Sequence, residues 1–411
     1  MDDILTVSYI AQITGIRVAD IIEELEPTMG GEIDSSTTLS LQKVSEWLKS
    51  RDLDYEFTLL KDHPNAIFYS QYMSTSIRRS WKRDNWKNRK IKRELNFIDL
   101  FAGAGGFSLG FIMAGYRPLD YLEYDKYAVQ TYERNFSWLL STLNGAKDIT
   151  DTSVKEEFID RHRDADVDAI LGGFPCQGFS LAGQRVVLDP RNTLYKDMLE
   201  IVDGIRPKVV VMENVYGLLT MLDGKVIEKI IVDYRNIGYD VSYEVLDAAD
   251  FGVAQRRKRV ILIGNRQNKI NLFPYPIFNK EDYQTVGQRL EEFLDWEESI
   301  ELNHVFSKHS SEMQRRLAAV PQGGNLYPSY SDSWRKSPWD KPSCTIKENH
   351  GATNIHPRRA RVITVREAAA LQSFPNDFIF SGAKKHQLVQ VGNAVPPLMS
   401  KAIALAIKGQ L

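Results

Sequence analysis

Short apolar runs alternate with longer amphipathic stretches between residues 95 and 265. Apolar runs of this kind are typical of buried strands, whereas the amphipathic stretches have the period of helices. The alternation favours a mostly parallel sheet covered by helices on both faces, so the predicted fold class is α/β. The predicted strands cover residues 96–100, 118–123, 169–172, 209–213 and 260–264, and the helices between them include 127–136, 198–203 and 226–236.

The first 60 residues have a different pattern, acidic and helical. A short helix capped by Thr6-Val7-Ser8 and ending at Ile13 is predicted. Further helices are predicted at 18–25, where the helix ends before Pro27, and at 39–48. The first two, with the turn at Thr14-Gly15-Ile16, resemble a helix-turn-helix. We therefore predict an N-terminal helical (helix-turn-helix-like) domain at 1–60. Because this segment has few basic residues, docking or dimerisation is the favoured role and reading of DNA the alternative.

A basic segment follows this domain. Between residues 78 and 93, nine basic residues accompany a single acid, Asp84, and the tryptophans Trp81 and Trp86. We predict a basic linker or arm at 61–94. It is either a nonspecific contact to DNA or a solubilising linker.

The composition restricts the class of protein. The chain has 411 residues and 43% hydrophobic content, enough for two or three domains with a sizeable core. The formal net charge of -2 means that any phosphate-binding surface must be local. Two cysteines fit a reducing compartment. We find no leader pattern and no run long enough to span a bilayer, so a cytoplasmic protein without membrane contact is predicted.

Cys176 follows the predicted strand 169–172 in the loop Gly-Gly-Phe-Pro-Cys-Gln-Gly-Phe-Ser. A thiol in a loop at the end of a buried strand is poorly placed for packing and well placed for nucleophilic attack. The alternative for Cys176 alone is that of a small buried hydrophobe.

Three other blocks accompany this cysteine. A glycine-rich loop, Phe101-Ala102-Gly103-Ala104-Gly105-Gly106-Phe107, joins a strand to a helix, where glycines let the backbone approach a ligand closely. Glu213-Asn214-Val215 ends a later strand, and Gln255-Arg256-Arg257-Lys258-Arg259 precedes the last one. Each block alone could be an ordinary turn, an ion-paired acid or a solvated face. Their occurrence together, in this order, argues against that interpretation.

Taken together, these blocks resemble the cytosine-C5 DNA methyltransferases of bacterial restriction-modification systems. The segments from Arg361 to Pro375 and from Gln390 to Pro397 are similar to further blocks of the family, although Ala370 stands where an arginine is usual. The resemblance implies a Rossmann-like, S-adenosylmethionine-dependent methyltransferase fold. It implies a catalytic and cofactor-binding domain at 95–275, completed by 384–411, and a smaller irregular target-recognition domain at 276–383.

The resemblance makes S-adenosyl-L-methionine the cofactor. The Glu123 carboxylate would accept both ribose hydroxyls, and Asp148 would contact the adenine. No metal is expected, because His350 and His356 lack cysteine partners nearby; these two histidines could instead contact phosphate. The residues assigned to the cofactor are Asp99, Phe101, Gly103, Gly105, Gly106, Glu123, Asp148, Ile149, Pro175, Asn393, Ala394 and Val395.

The implied reaction begins with attack of the Cys176 thiolate on C6 of a cytosine. Glu213 would donate a proton to N3 and recognise the edge of the base. Arg257 is placed by the resemblance near the cytosine O2, and Arg259 would support the site. The predicted catalytic residues are thus Cys176, Glu213, Arg257 and Arg259.

Because the target atoms lie inside a duplex stack, the base must be extruded into the pocket. The loop at 180–191 resembles the mobile loop with which the family closes over DNA. The predicted DNA contacts are Ser180, Gln184, Arg185, Arg335, Lys347 and Arg358. Amino-directed methyltransferases use an Asp- or Asn-Pro-Pro-aromatic tetrapeptide, and none occurs in this sequence.

The expected partner is double-stranded DNA, with a cognate restriction endonuclease encoded nearby. The chain is expected to act as a monomer, and a dimer could form through residues 1–60. Two alternatives remain: cytosine-5 methylation of RNA such as tRNA, and a non-catalytic DNA-binding regulator. The irregular region before Arg361 favours duplex DNA, and the presence of Cys176, Glu213 and Arg257 together argues against the regulator.

Overall fold

The fold is taken from a computed structural model of the chain. It describes residues 4–6, 18–29, 38–40, 43, 47, 57–59, 67–69, 95–175, 194–327, 334–347, 354–408 and 411. Among these residues, no helix combines the length and the apolar character needed to cross a membrane.

The described part of the first 94 residues contains strands as well as a helix. β1 (Ile4–Thr6) pairs antiparallel with β2 (Thr38–Ser40), and β3 (Phe57–Leu59) with β4 (Ile67–Tyr69). The helix α1 (Val18–Met29) continues through Pro27.

Two predicted helix bounds are therefore wrong. Leu39 lies in a strand, and α1 passes Pro27, because a proline in the last turn removes only one backbone donor near the helix end. The short helix predicted after the Thr6-Val7-Ser8 cap lies outside the described residues. The predicted turn at 14–16 and the basic segment 78–93 lie outside the described residues.

Six strands form the central sheet, in the order β6-β5-β7-β8-β10-β9. Neighbours from β6 to β8 are parallel, and β10 runs antiparallel to both β8 and β9. The predicted mostly parallel sheet and its five predicted strands are confirmed. The strands are β5 (Leu95–Leu100), β6 (Tyr116–Leu122), β7 (Ala169–Gly172), β8 (Val209–Val215), β9 (Asp240–Asp247) and β10 (Lys258–Asn265).

Successive residues of the central strands enter two different core clusters. Phe97 packs with α2, α9 and α11, whereas its neighbour Ile98 packs with α5 and α6. Since side chains alternate across a strand, the sheet is covered on both faces. The helices are α2 (Gly106–Met113), α3 (Lys126–Phe136), α4 (Thr152–His162), α5 (Leu194–Ile205), α6 (Lys225–Asn236), α7 (Val286–Leu290), α8 (Ser311–Ala319), α9 (Val365–Leu371), α10 (Lys384–Asn393) and α11 (Pro397–Ile407).

The edge strand β9 is absent from the sequence-based prediction. Its middle residues, 242–245, are exposed, and no continuous apolar run marks the strand. Val241, Tyr243 and Val245 alternate with polar residues, which is typical of a strand, but the prediction relied on apolar runs.

The predicted recognition region 276–383 shares much of its core with the catalytic sheet. Ile277, Val286 and Phe374 belong to the same cluster as Phe97 of β5. A separate small cluster, around Leu317 of α8, also contains Val320, Ile355, Met313, Leu326 and Trp334.

Candidate active site

The predicted site residues lie at one edge of the central sheet. The parallel strands β5 to β8 end there, and β10 begins there because it runs the other way. The glycine loop follows β5, Glu123 follows β6 and Pro175 lies beyond β7. This is the edge where α/β sheets bind their ligands.

The glycine loop is packed closely on one side and open on the other. A Cβ on Gly105, whose φ is 89°, would lie 2.3 Å from the Phe136 ring. A Cβ on Gly106 would lie 2.4 Å from the carbonyl oxygen of Val395. On Gly103, which has a φ of 55°, a Cβ would meet nothing within 4 Å. The open side leaves room for a ligand against the backbone.

Glu123 lies beside this open position. Its Oε2 accepts a hydrogen bond from the Gly103 amide, and its Oε1 accepts one from the Asp125 amide, both at 2.8 Å. Burial raises the pKa of the Glu123 carboxyl, and the two amide donors oppose that rise. Each carboxylate oxygen can accept a further hydrogen bond, so the group retains capacity for two hydroxyls.

The predicted adenine contacts lie on a segment that returns to Glu123. The Lys147 amide donates to the Glu123 carbonyl oxygen at 2.8 Å. The next residue, Asp148, is exposed, and its carboxylate accepts from the amide and the hydroxyl of Thr150 at 2.9 and 2.8 Å. Ile149 is buried. The segment that carries Asp148 is thus hydrogen-bonded to the segment that carries Glu123.

Asp99 is bound to α2. Its side chain is buried and accepts a hydrogen bond from the Ser108 hydroxyl of α2 at 2.6 Å. Burial raises the pKa of Asp99 to about 7. Its carboxylate thus holds α2 against β5, and its assignment to the cofactor stays a prediction. Phe101, with a φ of 56°, is half-buried against the core cluster that contains Ile98.

Residues after the end of α10 pack against the glycine loop. Ala394 and Val395 are buried against Gly106, as the short Cβ distances there show. Asn393, at the end of α10, is exposed. The C-terminal block therefore returns to the cofactor side of the sheet.

Glu213 lies near the end of β8 and pairs with Arg259. Its Oε1 is 2.7 Å from the Arg259 Nε, and both side chains are largely buried. Its Oε2 is 3.5 Å from the position of a Cβ on Gly173, in the loop that leads to Cys176. The carboxyl group thus lies between the arginine and the start of the cysteine loop.

Arg257 has different surroundings. It is fully buried, and its Nη1 and Nη2 donate to the carbonyl oxygens of Ile346 and Gly392 at 3.1 and 2.9 Å. Burial, reinforced by the charge of Arg259, lowers the pKa of Arg257 to about 9. These surroundings favour an exchange of the roles predicted for the two arginines. Arg257 ties β10 to two other segments, and Arg259 is the one beside Glu213.

The start of the cysteine loop is fixed to β8. The Asn214 Nδ2 donates to the Phe174 carbonyl oxygen at 3.0 Å, and Pro175 is exposed. The predicted nucleophile Cys176 and the predicted DNA contacts Ser180, Gln184 and Arg185 lie outside the described residues.

The other predicted DNA contacts differ in exposure. Lys347 and Arg358 are exposed, and Arg335 is half-buried. The Arg358 guanidinium lies 3.8 Å from the centre of the Trp339 ring. His356 is fully buried, so its predicted contact with phosphate is wrong; His350 lies outside the described residues.

Comparison with known proteins identifies the family. The family model described as C-5 cytosine-specific DNA methylase matches residues 95–409. The chain belongs to this family. It is a DNA (cytosine-5)-methyltransferase, and the members of this family take their methyl group from S-adenosylmethionine.

Two curated relatives of the methyltransferase are type II enzymes of bacteria. M1.HphI of Haemophilus parahaemolyticus is 40% identical over 328 residues, which are 76% of this chain and 86% of that protein. M.DdeI of Desulfomicrobium norvegicum is 35% identical and covers 75% of this chain and 88% of its own. The methyltransferase is therefore of the type II restriction-modification kind.

Solved structures agree with this fold. A putative DNA modification methyltransferase encoded within a prophage of Escherichia coli has a TM-score of 0.64 and 27% identity, and covers 77% of this chain and 99% of its own. The Dnmt2 methyltransferase of Schizosaccharomyces pombe has a TM-score of 0.53 at 18% identity, covers 77% of this chain and 99% of its own, and supports the fold alone.

Two further residues at the site of the methyltransferase were not assigned a role from the sequence. Tyr124 directly follows Glu123, and its ring is 73% exposed at the ligand edge. Gln255 binds Gln372 at 2.8 Å, and Gln372 in turn binds the Val391 carbonyl oxygen at 2.8 Å. The position of Gln255 in the arginine-rich block could have indicated it, whereas nothing in the pattern singles out Tyr124.

Proposed function

We propose that the methyltransferase modifies a flipped-out cytosine in duplex DNA through a covalent bond between the Cys176 sulfur and C6. The observation that carries the proposal is the Glu213–Arg259 pair at the end of β8, beside the loop that leads to Cys176. A proton donor held against the nucleophile loop is what attack on the ring requires, because negative charge then develops at N3.

The reaction follows from these groups. The Cys176 thiolate bonds to C6 while Glu213, in its acid form, donates its proton to N3. The resulting enamine makes C5 nucleophilic. The bound cofactor would supply a methyl group to C5 and be left as the thioether S-adenosylhomocysteine. Loss of the C5 proton to a base, followed by expulsion of the thiolate and return of the N3 proton to Glu213, restores the aromatic ring.

We assign the contact with the cytosine O2 to Arg259. The Arg259 guanidinium gives its Nε to Glu213 and its Nη1 to the Lys258 carbonyl oxygen, so its Nη2 still has protons to donate to a base. Both terminal nitrogens of Arg257 are used by carbonyl oxygens of other segments, and its remaining donor, Nε, is buried. Arg257 is then a positioning residue, which holds the start of β10 against Ile346 and Gly392.

The cofactor would bind at the open side of the glycine loop. Glu123 retains acceptor capacity for the ribose hydroxyls, and the exposed Asp148 would accept a hydrogen bond from the adenine amino group. Tyr124, exposed next to Glu123, is suited to pack on the adenine ring. Asn393 would reach the same ligand from the end of α10.

Sequence recognition is proposed for residues 276–383, with its own small core around Leu317. Lys347, Arg358 and Arg335 would contact phosphates or bases there, together with Ser180, Gln184 and Arg185 of the loop at 180–191. Methylation of this kind would protect host DNA against a cognate endonuclease. Residues 1–60 would serve docking or dimerisation.

The test is methylation mapping in cells that lack cytosine methylation. The protein and its Cys176→Ala variant are expressed, and 5-methylcytosine is located by conversion sequencing of genomic DNA. We expect one short methylated motif with the protein and none with the variant. Unmethylated DNA beside methylated tRNA would contradict the choice of substrate, and unmethylated nucleic acid of both kinds from folded protein would contradict the reaction.

A further inference from the structure

One side chain, Asn144, fixes the loop that carries Asp148 to the central sheet. Its Nδ2 donates to the Tyr121 carbonyl oxygen at 2.7 Å and also to the Asp120 carboxylate. Its Oδ1 accepts from the Arg161 Nη1 at 2.8 Å. Its backbone amide donates to the Tyr121 hydroxyl at 3.2 Å. Asn144 thus binds β6 and α4 at once.

Asp120, which accepts a hydrogen bond from Asn144, is itself fixed by other side chains. Asp120 is buried on β6, and its Oδ2 lies 2.8 Å from the His162 Nε2 and 3.0 Å from the Arg161 Nη1. A buried carboxylate that is paired and hydrogen-bonded on both oxygens keeps a defined orientation. The amide of Asn144 therefore docks on a prearranged surface.

The span from Asn144 to Asp148 is short and is fixed twice. Asn144 is the first anchor, and the Lys147 amide, bonded to the Glu123 carbonyl oxygen at 2.8 Å, is the second. Two anchors three residues apart leave the backbone little freedom, so the place of Asp148 depends on both. Neither anchor uses the Asp148 side chain. Its Oδ1 accepts from the amide and hydroxyl of Thr150, and its other carboxylate oxygen is left for a ligand.

We propose that Asn144 is a positioning residue for adenine recognition, which sets the place of Asp148 relative to Glu123 through Asp120 and Arg161. This inference rests on the proposed function, in which Asp148 accepts from the adenine amino group. Asn144 itself touches no ligand; it acts by holding the loop.

The test compares two nucleosides in binding to the full-length protein. S-adenosylhomocysteine and its 6-oxo analogue, S-inosylhomocysteine, differ only at the purine edge that Asp148 would recognise, where the amino group becomes an oxo group and N1 gains a proton. We expect the protein to prefer the adenosyl compound, and Asn144→Ala to weaken adenosyl binding about tenfold while inosyl binding changes much less. The preference shrinks because a displaced Asp148 no longer meets the amino group. At saturating cofactor, kcat should stay within about twofold of the parent, since the cytosine pocket is untouched.

Lys147→Ala is the matched control. Residue 147 is anchored through its backbone amide, which the substitution keeps, so this variant should prefer the adenosyl compound as strongly as the parent protein does. Arg161→Gln, at a partly exposed position, removes one partner of Asn144 and should reduce the preference by a smaller factor. An unchanged preference in folded Asn144→Ala, or an equal loss for both nucleosides, would overturn the proposal. Absence of S-adenosylhomocysteine binding by the parent protein would instead contradict the proposed function.

Discussion

Two arginines that lie two positions apart in the sequence have opposite surroundings in the fold. Arg257 is enclosed by backbone carbonyls, and Arg259 lies against a carboxyl group at the ligand edge. The sequence shows only the spacing of the two arginines. What distinguishes them is the contact of Arg257 with Ile346 and Gly392, which are distant in the chain. The arginine-rich block at 255–259 could be recognised from its sequence, but the different surroundings of its two arginines required the structure.

Arg259→Ala should lower kcat about 100- to 1000-fold, because a charged donor at the developing negative charge is lost. Binding of S-adenosylhomocysteine should stay within a few-fold of the parent. Arg257→Met, by contrast, should lower the free energy of unfolding by about 3 kcal/mol, since two buried carbonyls lose their donor. Single-turnover kinetics and urea denaturation measure the two quantities. A large kinetic loss confined to Arg257→Met would reverse the assignment.

Glu123→Gln should raise the Kd for S-adenosylhomocysteine about tenfold to a hundredfold, because a charged acceptor of two hydroxyls becomes a neutral one. DNA affinity should not change, since Glu123 lies on the cofactor side. Calorimetric titration of both ligands checks this. An unchanged cofactor Kd would remove Glu123 from the ribose contact.

Strands that carry a continuous apolar run could be predicted from the sequence, whereas a strand that carries only an alternating pattern was missed. β7 is fully buried and its predicted bounds are those observed, whereas β9 is an exposed edge. The extension of α1 through Pro27 is a local exception to proline's usual effect. The close approach of α2 to the segment after α10 joins residues almost 300 positions apart. The resemblance of the block at 390–397 to the family implied it, whereas no local pattern could.

Gly106→Ala tests that approach. The added Cβ would lie 2.4 Å from the Val395 carbonyl oxygen, so the glycine loop or the C-terminal block must shift. We expect a loss of about 1–3 kcal/mol in the free energy of unfolding and weaker cofactor binding. Gly217→Ala is the control, because a Cβ there meets nothing within 4 Å. Equal effects of the two substitutions in denaturation and binding experiments would contradict the packing argument.

At the scale of the whole molecule, a buried polar cluster fixes the start of α9. Glu367 accepts from Arg361 through both oxygens, and His356 lies with its Nε2 3.7 Å from the Glu367 Oε1. The His356 Nδ1 accepts from the Arg358 amide, so the ring proton is on Nε2. The recognition bounds 276–383, which the resemblance implied, leave α9 outside the catalytic domain, although Val365 of α9 packs in the same core as Phe97 of β5. The sequence did not show this continuity, because the two residues are far apart in the chain.

This cluster predicts a dependence of stability on pH. Burial lowers the pKa of His356 from 6.5 to about 4, although Glu367 opposes the shift. The unfolded chain therefore binds a proton that the folded chain does not, and stability falls as pH drops below about 6.5. The His356 contribution to this loss should reach about 3 kcal/mol near pH 4. Denaturation of the protein and His356→Gln across this range should show a smaller loss for the variant; equal losses would contradict the assignment.

The central claim is the covalent bond to Cys176, and a mechanism-based trap tests it most directly. A duplex carrying 5-fluorocytosine at the mapped target is incubated with the protein and S-adenosylmethionine, and the adduct is digested and sequenced by mass spectrometry. Because fluorine replaces the C5 proton, the thiolate cannot be expelled after methyl transfer. The account predicts a methylated, fluorinated base attached to the peptide that contains Cys176, absent in Cys176→Ala. Active protein that forms no adduct, or an adduct on another residue, would contradict it.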